Sequence, residues 1–162
     1  MQTEVHPSKR SGILWSHNER TFPTWLARLK EGFKHQDFMW WDVGWNIKVN
    51  QFIFPVIGYI WRSPLGRITH RLLIQSIVSL RQPERELAEE VDENWRRLGV
   101  RIHFHDPLHE YLRSERKMLT LLKLTKEEEL LTPLGLEDFK LWNGKTITHP
   151  PQGYYRIMSV VR

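Results

Sequence analysis

No cysteine occurs in the 162 residues. That excludes disulfides, thiolate zinc sites, thiol nucleophiles and cysteine-ligated iron–sulfur clusters. It also fits a reducing compartment. Phosphate-cradling glycine loops are missing: neither G-x-x-x-x-G-K-[ST] nor G-x-G-x-x-G occurs. Ser11, Ser16, Ser63, Ser76, Ser79, Ser114 and Ser159 all lie outside a nucleophile-elbow context. The opening stretch MQTEVHPSKRSGILW has no apolar run of the secretory kind. Glu4 and Glu19 are poor for a mitochondrial transit peptide, which leaves an internal import signal as the route to an organelle. There is no internal repeat and no low-complexity tract. Nothing assembles into a catalytic set, so the chain is expected not to be an enzyme and to need no cofactor.

What is present is unevenly placed. Net charge is +5. Residues 1–82 hold 11 Lys/Arg against 5 Asp/Glu, and residues 83–162 hold 13 against 14. Six of the eight tryptophans fall before residue 62: Trp15, Trp25, Trp40, Trp41, Trp45 and Trp61. A basic, tryptophan-rich half points to a membrane interface or to nucleic acid.

The periodicities predict a mainly α fold of about five helices, 10–18 residues each, with extended N- and C-terminal arms and little strand. Residues 1–22 read as an extended arm, 23–148 as a single helical domain and 149–162 as an extended tail. Within the domain, 23–82 is the basic, Trp-rich part and 83–148 the helical part. Pro23 opens a helix with Trp25, Leu26, Leu29 and Phe33 at helical spacing. Ile68, Leu72, Leu73, Ile77 and Leu80 form an apolar stripe over 67–81. Pro83, with Glu84 and Glu86, starts another helix whose apolar face is Leu87, Val91, Trp95 and Leu98. Asp106 and Pro107 read as an N-cap and first turn, with Leu108, Leu112, Met118, Leu119 and Leu122 facing inward. Thr125 and Glu128 have capping-box spacing for a last short helix, ended by Pro133 and Gly135. Strand is expected only near 100–105 and 155–161.

Residues 43–61 number 19, about the minimum for a spanning helix. Trp40 and Trp41 lie at one end and Tyr59 and Trp61 at the other, like two aromatic belts, and Trp45 joins them as a lipid-interface candidate. Arg62, Arg67 and Arg71 follow at headgroup level. Asn46, Lys48, Asn50 and Gln51 oppose insertion, a central lysine alone costing ~2.5–3.5 kcal/mol. Three placements stay open: a buried core helix, an interfacial helix and a span.

The stretch RIHFHDPLHEY at 101–111 offers His103, His105 and His109 as metal ligands, two of them on one face of a strand. The competing reading is a structural join in which Asp106 is occupied as a cap. The acidic residues Glu84, Glu86, Glu89, Glu90, Asp92 and Glu93 read as a solvated helix face. The stretch RTFPTWLARLKEGFK, with Arg outnumbering Lys 15 to 9 overall, could grip RNA by phosphate contacts and stacking.

These features predict a non-catalytic accessory subunit of a mitochondrial inner-membrane assembly, such as a respiratory complex or ATP synthase. Polar, proline-containing ends fray unless held, so both arms would grip neighbouring subunits, with lipid at residues 40–71. The alternatives are an organellar ribosomal protein binding rRNA, and a small metal-dependent enzyme built on His103, His105 and His109.

Overall fold

Successive residues of the first strand are buried on opposite sides of a sheet. Ile13 and Trp15 join one apolar cluster and Leu14 the other, as alternating strand side chains require. In a computed structural model, residues 11–43, 47–80, 85–96 and 119–158 are described. They form six strands and two α-helices: β1 (Ser11–Asn18), α1 (Phe22–His35), β2 (Met39–Val43), β3 (Val56–Ser63), β4 (Arg67–Leu80), α2 (Arg85–Arg96), β5 (Leu119–Leu134) and β6 (Tyr154–Met158). The strand order is β2-β5-β4-β3-β1-β6. Only β1 and β3 run parallel; the other neighbours are antiparallel.

This sheet overturns the mainly α expectation. The helix expected over 67–81 is β4. Its buried residues Ile68, His70, Leu72 and Ile74 alternate, and then the register shifts between Ile74 and Ser76, so Ile77 is the next one buried. That bulge breaks the period of two and leaves a spacing of three, which together with the four from Ile68 to Leu72 mimics a helix. The apolar run 52–61 contributes β3, a central strand buried on both faces. Residues 119–134, read as parts of two helices, form one long strand. The helix formers Glu127 and Glu128 are held there by cations on opposite faces: Lys30 of α1 at 3.6 Å, and Arg71 of β4 at 3.0 Å through two bonds. Tertiary pairing overrides their propensity. The expected N-terminal arm contains β1, held between β3 and β6.

Both described helices lie where their patterns placed them. Phe22, Trp25, Leu29 and Gly32 are the buried stripe of α1, with Pro23 in its first turn. Gly32 permits close approach, because a Cβ there would run into the buried Met39 side chain of β2. Gly58 does the same within the sheet: an added Cβ would meet the Trp15 ring at 2.6 Å.

Helix α2 closes the outer edge of β2. Trp40 N–H donates to Asn94 Oδ1 at 2.8 Å, Asn94 Nδ2 donates to the Phe38 carbonyl at 2.9 Å, and Trp95 Nε1 donates to the Trp40 carbonyl at 2.8 Å. Side chains thus satisfy backbone groups that a neighbouring strand would otherwise claim. A second core sits on the opposite face of the sheet. There Phe139 packs edge-on against Tyr59 at 4.9 Å, with Leu14, Ile147 and Ile157 around them.

Candidate nucleic-acid interface

Of the residues singled out as lipid contacts, the described aromatic ones do not line an exposed surface. Trp40, Trp41 and Tyr59 are core, at 2%, 6% and 3% exposure. Trp61 is half-buried against the second core. Arg62 is occupied: it pairs with Glu19, donates to Thr69 Oγ1 at 3.0 Å and lies 4.3 Å from the centroid of the Phe22 ring. Arg71 is held by Glu128. Arg67 is exposed at the start of β4. Trp45 lies outside the described residues, and so do His103, His105 and His109 with the rest of the 101–111 stretch. Among the described residues no helix is long and apolar enough to cross a membrane.

A different surface emerges at the β6 edge of the sheet. Phe139 anchors the chain in the second core, and residues 140–142 then run antiparallel beside β6. Met158 N–H donates to the Lys140 carbonyl at 2.9 Å, Trp142 N–H donates to the Arg156 carbonyl at 3.0 Å, and Leu141 bridges Ile157. The chain then reverses. Leu141 N–H donates to the Lys145 carbonyl at 2.9 Å, and Gly144 N–H to the Leu141 carbonyl at 2.8 Å. Gly144 takes φ +86°, which favours glycine. Asn143 Oδ1 accepts the Lys145 N–H at 3.1 Å and fixes the tip.

Pairing sorts the side chains. Leu141 and Ile157 point into the second core, so Lys140, Trp142, Arg156 and Met158 share the other face. Trp142 is 56% exposed, an unusual position for so large an apolar group. The Arg156 guanidinium covers one face of its ring at 4.7 Å, and Arg156 Nε is tied to Ser11 Oγ at 2.7 Å. Lys140 and Lys145 are exposed. Two residues along from Arg156, the Tyr154 hydroxyl accepts the backbone N–H of Lys48 at 3.2 Å, which brings exposed Lys48 into the same stripe.

Residues 5–18, 43–83 and 139–162 contain no Asp or Glu. Strands β6, β1, β3 and β4 and the 140–146 hairpin are drawn entirely from those segments. Strand carboxylates are confined to β2 and β5. At the opposite edge of the sheet an open groove of about 370 Å³ is lined by Asp37, Glu90 and Glu93 beside His35, Gln36, Phe38 and Asn94. The stripe on β6 therefore meets solvent with four cations and no carboxylate from its own segments. An aromatic ring beside cations, on strands without Asp or Glu, can hold a phosphate chain and stack a base. The signal was present in the sequence as missing acidic residues. Dividing the chain at residue 82 hid it, because β5 and α2 supply enough Glu to cancel the basic tail.

A second polar cluster is structural. Glu19, Arg62, Thr69 and His70 form a chain that ties the β1–α1 turn to the β3–β4 hairpin, with Thr69 Oγ1 2.8 Å from His70 Nδ1. Burial beneath Phe22 pulls the His70 pKa below its usual value, against the opposing pull of Glu127 and Glu129.

Neither a family model nor a curated protein matches this sequence. Solved structures do. The ASCH protein of Zymomonas mobilis is 11% identical, with 97% of this chain and 90% of that chain covered and a TM-score of 0.48. Two single-residue variants of it are 13% and 14% identical, cover 96% and 94% of this chain and 91% of theirs, and give TM-scores of 0.48 and 0.46. The expected accessory subunit of a mitochondrial inner-membrane complex is overturned. The segments at 52–61 and 67–81 that would meet the membrane as helices contribute sheet strands, and Trp40, Trp41 and Tyr59 of the aromatic belts are core.

Proposed function

We propose that this protein binds single-stranded nucleic acid along the β6 edge of its sheet, and that it acts by binding rather than by catalysis. One observation carries the reading: exposed Trp142, backed by Arg156 and flanked by Lys140, Lys145 and Lys48, lies on a face built from segments that contain no carboxylate. Cations alone would suit any polyanion. The solvent-facing indole among them favours a ligand with both phosphates and flat rings, because base–aromatic stacking adds to the electrostatic term.

The test is fluorescence anisotropy of a labelled single-stranded oligonucleotide, RNA and DNA in parallel, titrated at several salt concentrations. Four phosphate contacts predict that log K falls against log salt with a slope of about −3, from roughly −0.7 per phosphate on single strands. Between 50 and 200 mM salt that amounts to a loss of about 50-fold. Absence of binding at 50 mM, or binding indifferent to salt, would refute the proposal.

A further inference from the structure

The face of Trp142 away from Arg156 has a more specific assignment, which rests on the nucleic-acid reading above. We infer that it is a stacking platform for one unpaired purine base, with guanine preferred to adenine.

The platform is preorganised. The 140–146 hairpin is fixed by the backbone bonds to β6 and by Gly144 at φ +86°. The indole is clamped from behind by Arg156, which is itself tied to Ser11. Only one face of the ring is free, so the site takes one base rather than intercalating between two. A purine covers more of an indole than a pyrimidine does, and area sets much of a stacking contact. A base inside a duplex cannot present its flat face, so the site requires an unpaired one.

The edge preference follows from the hairpin tip. Asn143 Oδ1 is already occupied by the Lys145 N–H. With one of the two Oδ1 lone pairs taken, what Asn143 offers outward is chiefly its Nδ2 group, a donor of two hydrogens, and the neighbouring Lys145 ammonium only donates. A tip whose outward side chains at 143 and 145 present mostly donors matches an edge that presents acceptors alone. Guanine has two acceptors there, N7 and O6, whereas adenine sets an amino donor beside N7.

The test uses the full chain and strands of about ten abasic residues carrying one central base: guanine, adenine, uracil or none. Anisotropy should rank them guanine, adenine, uracil, abasic. Guanine binding should also quench tryptophan emission. Trp142→Ala should bring all four strands to the abasic affinity, a loss of about 5- to 150-fold for the guanine strand by the usual worth of a stacked base. Trp142→Phe should restore part of it. Because Trp142 is exposed, the thermal unfolding of Trp142→Ala should match wild type, which separates lost binding from lost folding. If Trp142→Ala binds the guanine strand as wild type does, while Lys140→Glu/Lys145→Glu does not, the base platform is refuted and the nucleic-acid reading survives. Adenine bound as tightly as guanine overturns the edge preference. If the abasic strand and the base-carrying strands all fail to bind, both readings fall together.

Discussion

Replacing Asn94 by leucine removes the side chain that closes the outer edge of β2. Asn94 is 2% exposed, so water cannot take its place. Its amide makes three bonds: it accepts from Trp40 N–H and donates to the Phe38 carbonyl and to Gln36 Oε1. Half-buried Gln36 can turn to solvent, but the two backbone groups cannot. Each buried backbone group left unpaired costs ~1–3 kcal/mol. Leucine returns part of that by burying apolar surface, so the net expectation is a loss of about 2–4 kcal/mol. Against a typical domain stability of about 5–15 kcal/mol this is a large fraction. The midpoint of thermal unfolding should drop by roughly 5–15 °C for a chain of this size. Urea unfolding followed by far-ultraviolet circular dichroism measures it. Asn94→Asp keeps the acceptor for Trp40 but turns a carboxylate toward the Phe38 carbonyl, so at pH 7 it should be at least as damaging. Exposed Glu93 provides the control, and Glu93→Ala should stay within about 0.5 kcal/mol of wild type. If Asn94→Leu also unfolds within that margin, α2 does not close the sheet edge as described.

Other outcomes follow from the same geometry. His70 has a lowered folded pKa, so the unfolded chain binds its proton first; stability should be full above about pH 7 and fall as pH drops below roughly 6.5. His70→Leu should flatten that dependence between pH 5 and 7 in denaturant titrations, and an unchanged slope would contradict the assignment. Gly58→Ala forces a Cβ to 2.6 Å from the buried Trp15 ring and should cost about 1–3 kcal/mol in the same assay, where a neutral result would mean that the strands can spread. A double-mutant cycle on Arg71 and Glu128, both part-exposed, should give a coupling of about 0.5–1 kcal/mol that shrinks with added salt. A salt-independent coupling would show that packing, not charge, joins them.

The two described helices were readable because their stripes survive in the chain as written. Trp25 and Leu29 in α1, and Val91 and Trp95 in α2, recur at the helical interval and are buried there. β4 and β5 were misread for different reasons. In β4 a bulge interrupts the alternation and hides it. In β5 the KEEE stretch has helical propensity, and it is held extended by pairing with β4 and by cation partners on α1 and β4, all distant in sequence. The tryptophans suggest a surface because six of them crowd one half of the chain. Trp15, Trp25, Trp40 and Trp41 instead fill the space between sheet and helices, where large rings bury the most area per residue. The interface was legible only as an absence. Acidic residues are missing from 43–83 and from 139–162, and no local motif says that these stretches meet at one sheet edge. Pairing of β1 with both β3 and β6, and the bond from Lys48 N–H to the Tyr154 hydroxyl, are what bring them together.

The central claim is that the β6 face, whose own segments carry no Asp or Glu, holds the nucleic acid. Its most direct test compares two charge reversals of equal size on the same oligonucleotide at 50 mM salt: Lys140→Glu/Lys145→Glu on that face, and Lys34→Glu/Lys126→Glu on α1 and β5. The first pair should weaken binding by more than tenfold and flatten the salt slope by about 1.4, two contacts at roughly 0.7 each. The second should stay within about threefold of wild type, as expected for distant charges screened by salt. Equal losses from the two pairs, or a larger loss from the second, would contradict the claim.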